Sequence, residues 1–259
     1  MNRPIFSVSL AFAIVLVPAV AQASWPEGHV VEGDSAYTVP AGHGRISLLG
    51  RSSVGLGERV ELSTYLPLDV LLFPNLGLKW RLLQSDTVAL ALKGGVGGGL
   101  YPVAAGVTVP IGAAVGGAGL VGAAYQNVDL TLSVTPAQPV TLSLRAGIMR
   151  LEYGLTAVIG AAGGGGGGAA GVSSSGHMNV PNGGFELDAL LSTKNALIAE
   201  AEAYRLHDNT TLIAPYLAWY HAFGEHFHLV VGGFTFAELP ATNARRFLPL
   251  PYANVYWNF

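Results

Sequence analysis

The chain contains no cysteine. A disulfide framework and thiolate metal sites are therefore excluded, as is anchoring through a lipid-modified N-terminal cysteine. Charge is also scarce. Only 11% of the 259 residues are Asp, Glu, Lys or Arg, against about 25% in an ordinary globular domain. The net charge of −3 leaves no basic footprint, which argues against nucleic acid as a partner. Two glycine runs, Gly94–Gly99 and Gly163–Gly168, lack the Lys-Ser/Thr that should follow, so neither is a phosphate loop.

What is present is apolar and glycine-rich: 51% hydrophobic residues and 35 glycines. "MNRP" opens the chain, an apolar run from Ile5 to Val20 follows, and Ala21-Gln22-Ala23 closes it. A basic start, an apolar core and small residues at a cleavage point make a secretory signal peptide over 1–23. A transmembrane anchor is the other reading. Residues 24–34 are then a short N-terminal periplasmic segment, and 35–259 the body.

The body alternates with period two, the signature of strands with one apolar face. Val128, Leu130, Leu132 and Val134 alternate with Asp129, Thr131 and Ser133; after Pro-Ala-Gln-Pro, Val140 to Ile148 repeats the pattern. Similar runs cover 44–54, 59–67, 73–83, 87–93, 184–191, 195–206, 211–221, 226–236 and 247–259, with 36–40 a weaker candidate. The windows 100–124 and 150–183 are Gly/Ala-rich and are expected to be connections, plug or extra strands. Several strands reach the ten or so residues that a tilted strand needs to cross a bilayer. A secreted β-sandwich is the alternative.

The last residues decide the reading. Counting back by twos from Phe259 gives Trp257, Val255 and Ala253; Asn258, Tyr256, Asn254 and Tyr252 form the other face. An export signal at one end and this strand at the other resemble a Gram-negative outer-membrane β-barrel protein. The resemblance implies an all-β, antiparallel transmembrane barrel in the cell outer membrane. It further implies that Ala253, Val255, Trp257 and Phe259 form the signal read by the barrel-assembly machinery, and that membrane lipid and lipopolysaccharide are partners. With Phe259 on the periplasmic side, connections assigned alternately put tight turns inside and long loops outside. About 12 strands result, counting 36–40 as one; 10 to 14 are possible.

This register points Arg45, Arg51, Lys79, Arg81, Lys93 and Arg145 into the lumen, together with Glu61, Asp129, Glu186, Asp188, Glu200 and Glu202. Most bases fall on early strands and four acids on two later neighbours, so opposite walls carry opposite charge. That suits a water-filled pore with a transverse field, or a lumen closed by ion pairs. His221, His226 and His228 cluster near one turn; His226 and His228, two apart, are expected to share a face. They are weak metal candidates, because zinc sites need three or four ligands, and an interfacial aromatic band explains them better. Ser173–His177 offers a serine and a histidine, but in an expected flexible loop. No cofactor and no catalytic residue is expected. Three functions follow in order: a porin-like channel or passive transporter for small solutes, a non-conducting structural or surface-interaction barrel, and last a lipid-modifying enzyme.

Overall fold

A computed structural model describes residues 35–71, 73–103, 119–137, 139–159, 170–206, 210–239 and 249–259. The expected signal peptide and the 24–34 segment lie outside them. The strands are β1 (Gly44–Ser47), β2 (Ser52–Gly55), β3 (Val60–Thr64), β4 (Asn75–Gln84), β5 (Val88–Val103), β6 (Gly119–Ala137) and β7 (Val140–Ile159). Then come β8 (Ala170–Leu190), β9 (Asn195–Arg205), β10 (Thr211–Ala222), β11 (Phe227–Phe234), β12 (Ala237–Leu239) and β13 (Leu250–Asn258). A five-residue helix, α1 (Leu66–Val70), caps the β3–β4 connection.

All pairings between strands are antiparallel, and each strand lies beside its neighbour in sequence. β13 pairs with both β11 and β1, which closes the sheet into a barrel. β12 continues β11 against β10 in one register, Tyr216↔Phe234 giving way to Ile213↔Ala237. The break falls at Thr235–Phe236, opposite Pro215. The Thr235 N–H still donates to the Pro215 carbonyl, but proline has no N–H to return the bond. The thirteen segments therefore make a closed barrel of twelve strands.

The expected count of twelve holds, but one of its parts is different. Residues 44–54, read as one strand, form the β1–β2 hairpin bent at Leu48–Arg51. Ala36–Pro40, read as the twelfth strand, is not in the wall. The windows 100–124 and 150–183, treated mainly as loops, are largely strand: β5 runs to Val103, β6 starts at Gly119, β7 reaches Ile159 and β8 starts at Ala170. Glycine carries no side chain to alternate, so the period-two signal vanished there while the backbone ladder continued. Residues 104–118 and 160–169 lie outside the described part.

The two faces have opposite chemistry. Outside, Leu76, Leu78, Trp80, Val128, Leu130, Leu144, Ile148, Phe185, Leu217 and Trp257 are all exposed. Inside, Arg45, Glu61, Lys79, Asp129, Glu186 and Asp188 are buried. A soluble sheet buries its apolar face and wets its charged one. This inversion is what a closed barrel in lipid requires, since pairing between neighbouring strands satisfies backbone groups without water. On β6–β8 the outer apolar rows run from Val134/Leu142/Leu187 to Val128/Ile148/Pro181. The next row is polar, Gln126/Arg150/Asn179. There the outer apolar surface stops, and the four long strands continue beyond it.

Candidate functional site

Among the described residues the lumen has a filled lower half, at the end carrying Phe259, and an upper half that holds two cavities. The lower half is closed partly by Ser35–Pro40, which lies inside the barrel. The inward positions of β5 are small, Ala89 and Ala91 and then glycines above Lys93, which leaves room for a strap. Ala36 fills that room against Ala89 and Ala91. Its N–H donates to Ser133 Oγ at 2.7 Å, and Tyr37 OH shares a 3.0 Å hydrogen bond with Thr135 Oγ1. Further along, the Val39 N–H donates to Glu61 Oε2 at 3.0 Å. Lys79 Nζ donates to the Tyr37 carbonyl at 2.9 Å and lies 3.4 Å from Glu61 Oε2. Three backbone groups that would hang unpaired in a lumen are thus anchored to β3, β4 and β6.

The other side of the floor is filled by aromatic rings. Tyr220, His228 and Tyr256 stack, with centroids 5.6 Å and 4.9 Å apart in turn. Tyr220 OH bonds His228 Nδ1 at 2.7 Å, and Asn258 Nδ2 bonds His228 Nε2 at 3.0 Å. Leu190, Ile198 and Val230 close around them. The Arg45 guanidinium sits 5.3 Å above the Tyr256 ring, which gives the buried cation a polarisable face.

Above this floor two cavities, about 420 and 260 Å³, share Arg51, Tyr65, Glu202 and Tyr204 in their lining. The larger also meets Arg45, Glu200, Tyr216 and Tyr252; the smaller meets Lys93, Asp129 and Arg145. Arg45 and Arg51 come from the β1–β2 side, and Glu200 and Glu202 from β9, so opposite charges face each other across one space. Cross-strand rows set the rest. Glu61, Lys79, Lys93 and Asp129 are successive partners around the wall. Arg145, Gly184 and Glu202 form another row. Because Gly184 has no side chain, Arg145 reaches past it to bond Glu202, with Glu200 at 3.9 Å. Glu186 and Glu200 are direct partners, and the Arg145 cation offsets that like-charge contact.

Two sequence expectations need adjusting. Arg81 is only half-buried: it sits at the lower rim beside a bulge in β4 and donates to the Glu58 carbonyl. His226 and His228 do not share a face. His226 belongs to the turn before β11, is exposed, stacks on Trp257 at 5.3 Å and bonds the Asn258 carbonyl. His228 is buried inside. His221 bonds Asn195 Oδ1 at 2.8 Å and stacks on Trp219. Among the described residues no group of three or more His, Asp or Glu could hold a metal ion.

Ser173–His177, expected in a loop, lies on β8. Ser175 pairs with Gly154 and His177 with Glu152. With Arg150, which bonds Glu152 at 2.8 Å, they line a groove of about 690 Å³ floored by Gly98, Gly122, Ala124 and Gly154. Periodicity could not reveal it, because glycine and alanine make its floor. The lumen strap was missed for another reason: a short polar-apolar stretch reads the same in a wall as inside one.

No protein-family model matches the chain, and no curated protein matches it. Among solved structures it is similar to the translocator domain of the autotransporter NalP from Neisseria meningitidis. That match covers 83% of this chain and 72% of the other, at 15% identity and a TM-score of 0.40. Even strand number, full closure, antiparallel neighbours, apolar outside and polar inside together make this chain an outer-membrane-type β-barrel.

Proposed function

We propose that the protein resides in the Gram-negative outer membrane as a barrel shut at its periplasmic end, with a charged vestibule open above, and that small solutes pass only when the strap is displaced. The observation that supports this is the floor. Ser35–Pro40 and the Tyr220–His228–Tyr256 stack occupy the lumen where a constitutive porin needs water. Sixteen-strand porins are open and small barrels are filled; twelve strands with a strap fall between. On this reading an N-terminal signal exports the chain, and the assembly machinery reads Ala253, Val255, Trp257 and Phe259. Lipid and lipopolysaccharide surround the apolar belt, and the barrel has no catalytic role and no cofactor.

Planar-bilayer conductance tests it. The full chain, matured at its signal site, is expected to be silent or to open rarely; a version lacking residues 24–40 should give steady unit steps. Steady conduction by the intact protein would overturn the closed floor and favour an ordinary porin-like channel. Silence of the truncated form, once shown to be folded by its heat-modifiable migration, would leave the non-conducting surface barrel.

A further inference from the structure

The barrel wall is uneven. β1, β2 and β3 have four, four and five residues, whereas about nine to eleven are needed to cross the hydrocarbon layer. On this side the described strands are too short to span that layer. The crest of the β1–β2 hairpin puts Leu48 and Leu49 on the surface, 66% and 58% exposed. Its neighbour β13 is taller. β13 meets β1 through Tyr256, Trp257 and Asn258, and Leu48 N–H reaches the Val255 carbonyl. Asn254 still ties to this crest, its Oδ1 accepting from the Leu49 N–H at 2.9 Å and from Ser47 Oγ at 3.0 Å. Above it Leu250–Ala253 register with β11 and with no residue of β1, so among the described residues the ladder is open there. Pro251 lies in the open stretch, and a proline exposes no N–H at a strand edge.

Directly behind the opening is the 420 Å³ cavity. Leu49 and Gly50 form its sill, and Phe234, Phe236 and Tyr252 line its near side. Its far side is charged, with Arg45 and Arg51 facing Glu200 and Glu202. A site filled only from water has no use for an apolar sill at membrane depth. A site filled from lipid needs an apolar approach and a polar end. We infer that the β13–β1 seam is a lateral portal, through which the zwitterionic head of a single-chain amphiphile enters from the outer leaflet while its tail stays in lipid. The arginines take the anionic group, and the two glutamates with the tyrosine faces take the ammonium. The volume suits one such head, since small-ligand sites run from about 300 Å³ upward.

The inference rests on the barrel lying in a membrane and not on its closed floor; heat-modifiable migration tests the first and conductance the second. The direct experiment titrates the folded, mature barrel in a maltoside detergent, followed by native mass spectrometry. The probes are lysophosphatidylethanolamine, free phosphoethanolamine and a free fatty acid. The lysolipid is expected to bind about tenfold more tightly than either fragment. Arg51→Gln and Glu200→Gln should each weaken it about fivefold, and Leu49→Trp at the sill should weaken the lysolipid more than the free head. Equal binding of lysolipid and free head, indifferent to Leu49→Trp, would mean that the vestibule fills from water and overturn the portal. Failure of the lysolipid to bind a barrel that is folded on the gel would overturn the site itself.

Discussion

The floor of the barrel and the upper reach of β5–β8 are built from the same strands and obey different rules. β6 carries Asp129, Thr131 and Ser133 buried in the floor region, and higher up the same strand presents Gly122, Ala123 and Ala124 to an open groove. Below, each inward side chain meets a partner across a filled lumen, so volume and charge are tightly constrained. Above, the rule is mixed: a Cβ on Gly176 would strike the Tyr153 ring and one on Gly98 would crowd Ala124, whereas Gly154 has open space around it. Burial, not secondary structure, sets the cost of change.

The contrast breaks most severely at Gly147. A Cβ there would fall 2.5 Å from the Val128 carbonyl and closer still to Asp129 Oδ1. Backbone in a central ladder cannot step aside. Gly147→Val is expected to cost on the order of 4 kcal/mol and to abolish the heat-modifiable folded band. A normal folded band would show that the β6–β7 contact is looser than described.

The Glu61–Lys79 pair comes next. Both side chains are buried, and the pair also holds the strap through the Val39 N–H and the Tyr37 carbonyl. Lys79→Met takes from a buried carboxylate the cation that lies 3.4 Å away. Breaking such a pair costs about 3–5 kcal/mol, and here Arg51 and Arg45 nearby keep the loss toward the lower end. Adding Glu61→Gln should recover part of that loss, because two neutral groups replace one incompletely balanced charge. Urea unfolding from lipid vesicles reads both, and an equal loss in single and double variants would show that the strap, not the charge, dominates.

How much of this was legible beforehand follows from the same contrast. Where side chains alternate in size and polarity, as from Val128 to Ile148, the strands and their facing could be read directly. Trp257 and Phe259 fixed the direction of the last strand, and parity then placed the turns. The upper β5–β8 ladder was not legible, because backbone hydrogen bonds hold it and glycine writes no pattern. Splitting residues 44–54 into a hairpin was equally hidden. Arg45 and Arg51 keep the same parity in one strand as in two, so facing survived while topology changed. The strap escaped because its bonds run to Ser133, Thr135, Glu61 and Lys79, partners that adjacency in sequence cannot supply.

A milder test addresses the room left for the strap. Ala89 is fully buried against Ala36. Ala89→Leu inserts three carbons into filled space, at a cost of about 1–3 kcal/mol if nothing moves. The strap is held by side-chain hydrogen bonds and not by a backbone ladder, so it should yield first. Limited proteolysis from the periplasmic side is expected to cut the Ala89→Leu barrel within the strap faster than the parent, while the folded band persists. An unchanged cleavage rate would place the flexibility in the β5 wall instead.

The smallest effect belongs to Gly154, and it is informative because it is small. Gly154 lies on β7 seven residues above Gly147, and the odd separation puts it on the opposite, outward face, where a Cβ meets nothing within 4 Å. Strand geometry favours a side chain over none, because glycine surrenders more backbone freedom on folding. Gly154→Ala is therefore expected to leave stability within about 0.5 kcal/mol of the parent, with any shift toward greater stability. A loss of a kilocalorie or more, measured in the same vesicles as Gly147→Val, would mean that something occupies the groove beside Arg150 and His177 in the membrane. The outer face of the upper ladder would then be a contact surface after all, and the division between a packed inward face and an open outward face would have to be redrawn along β7.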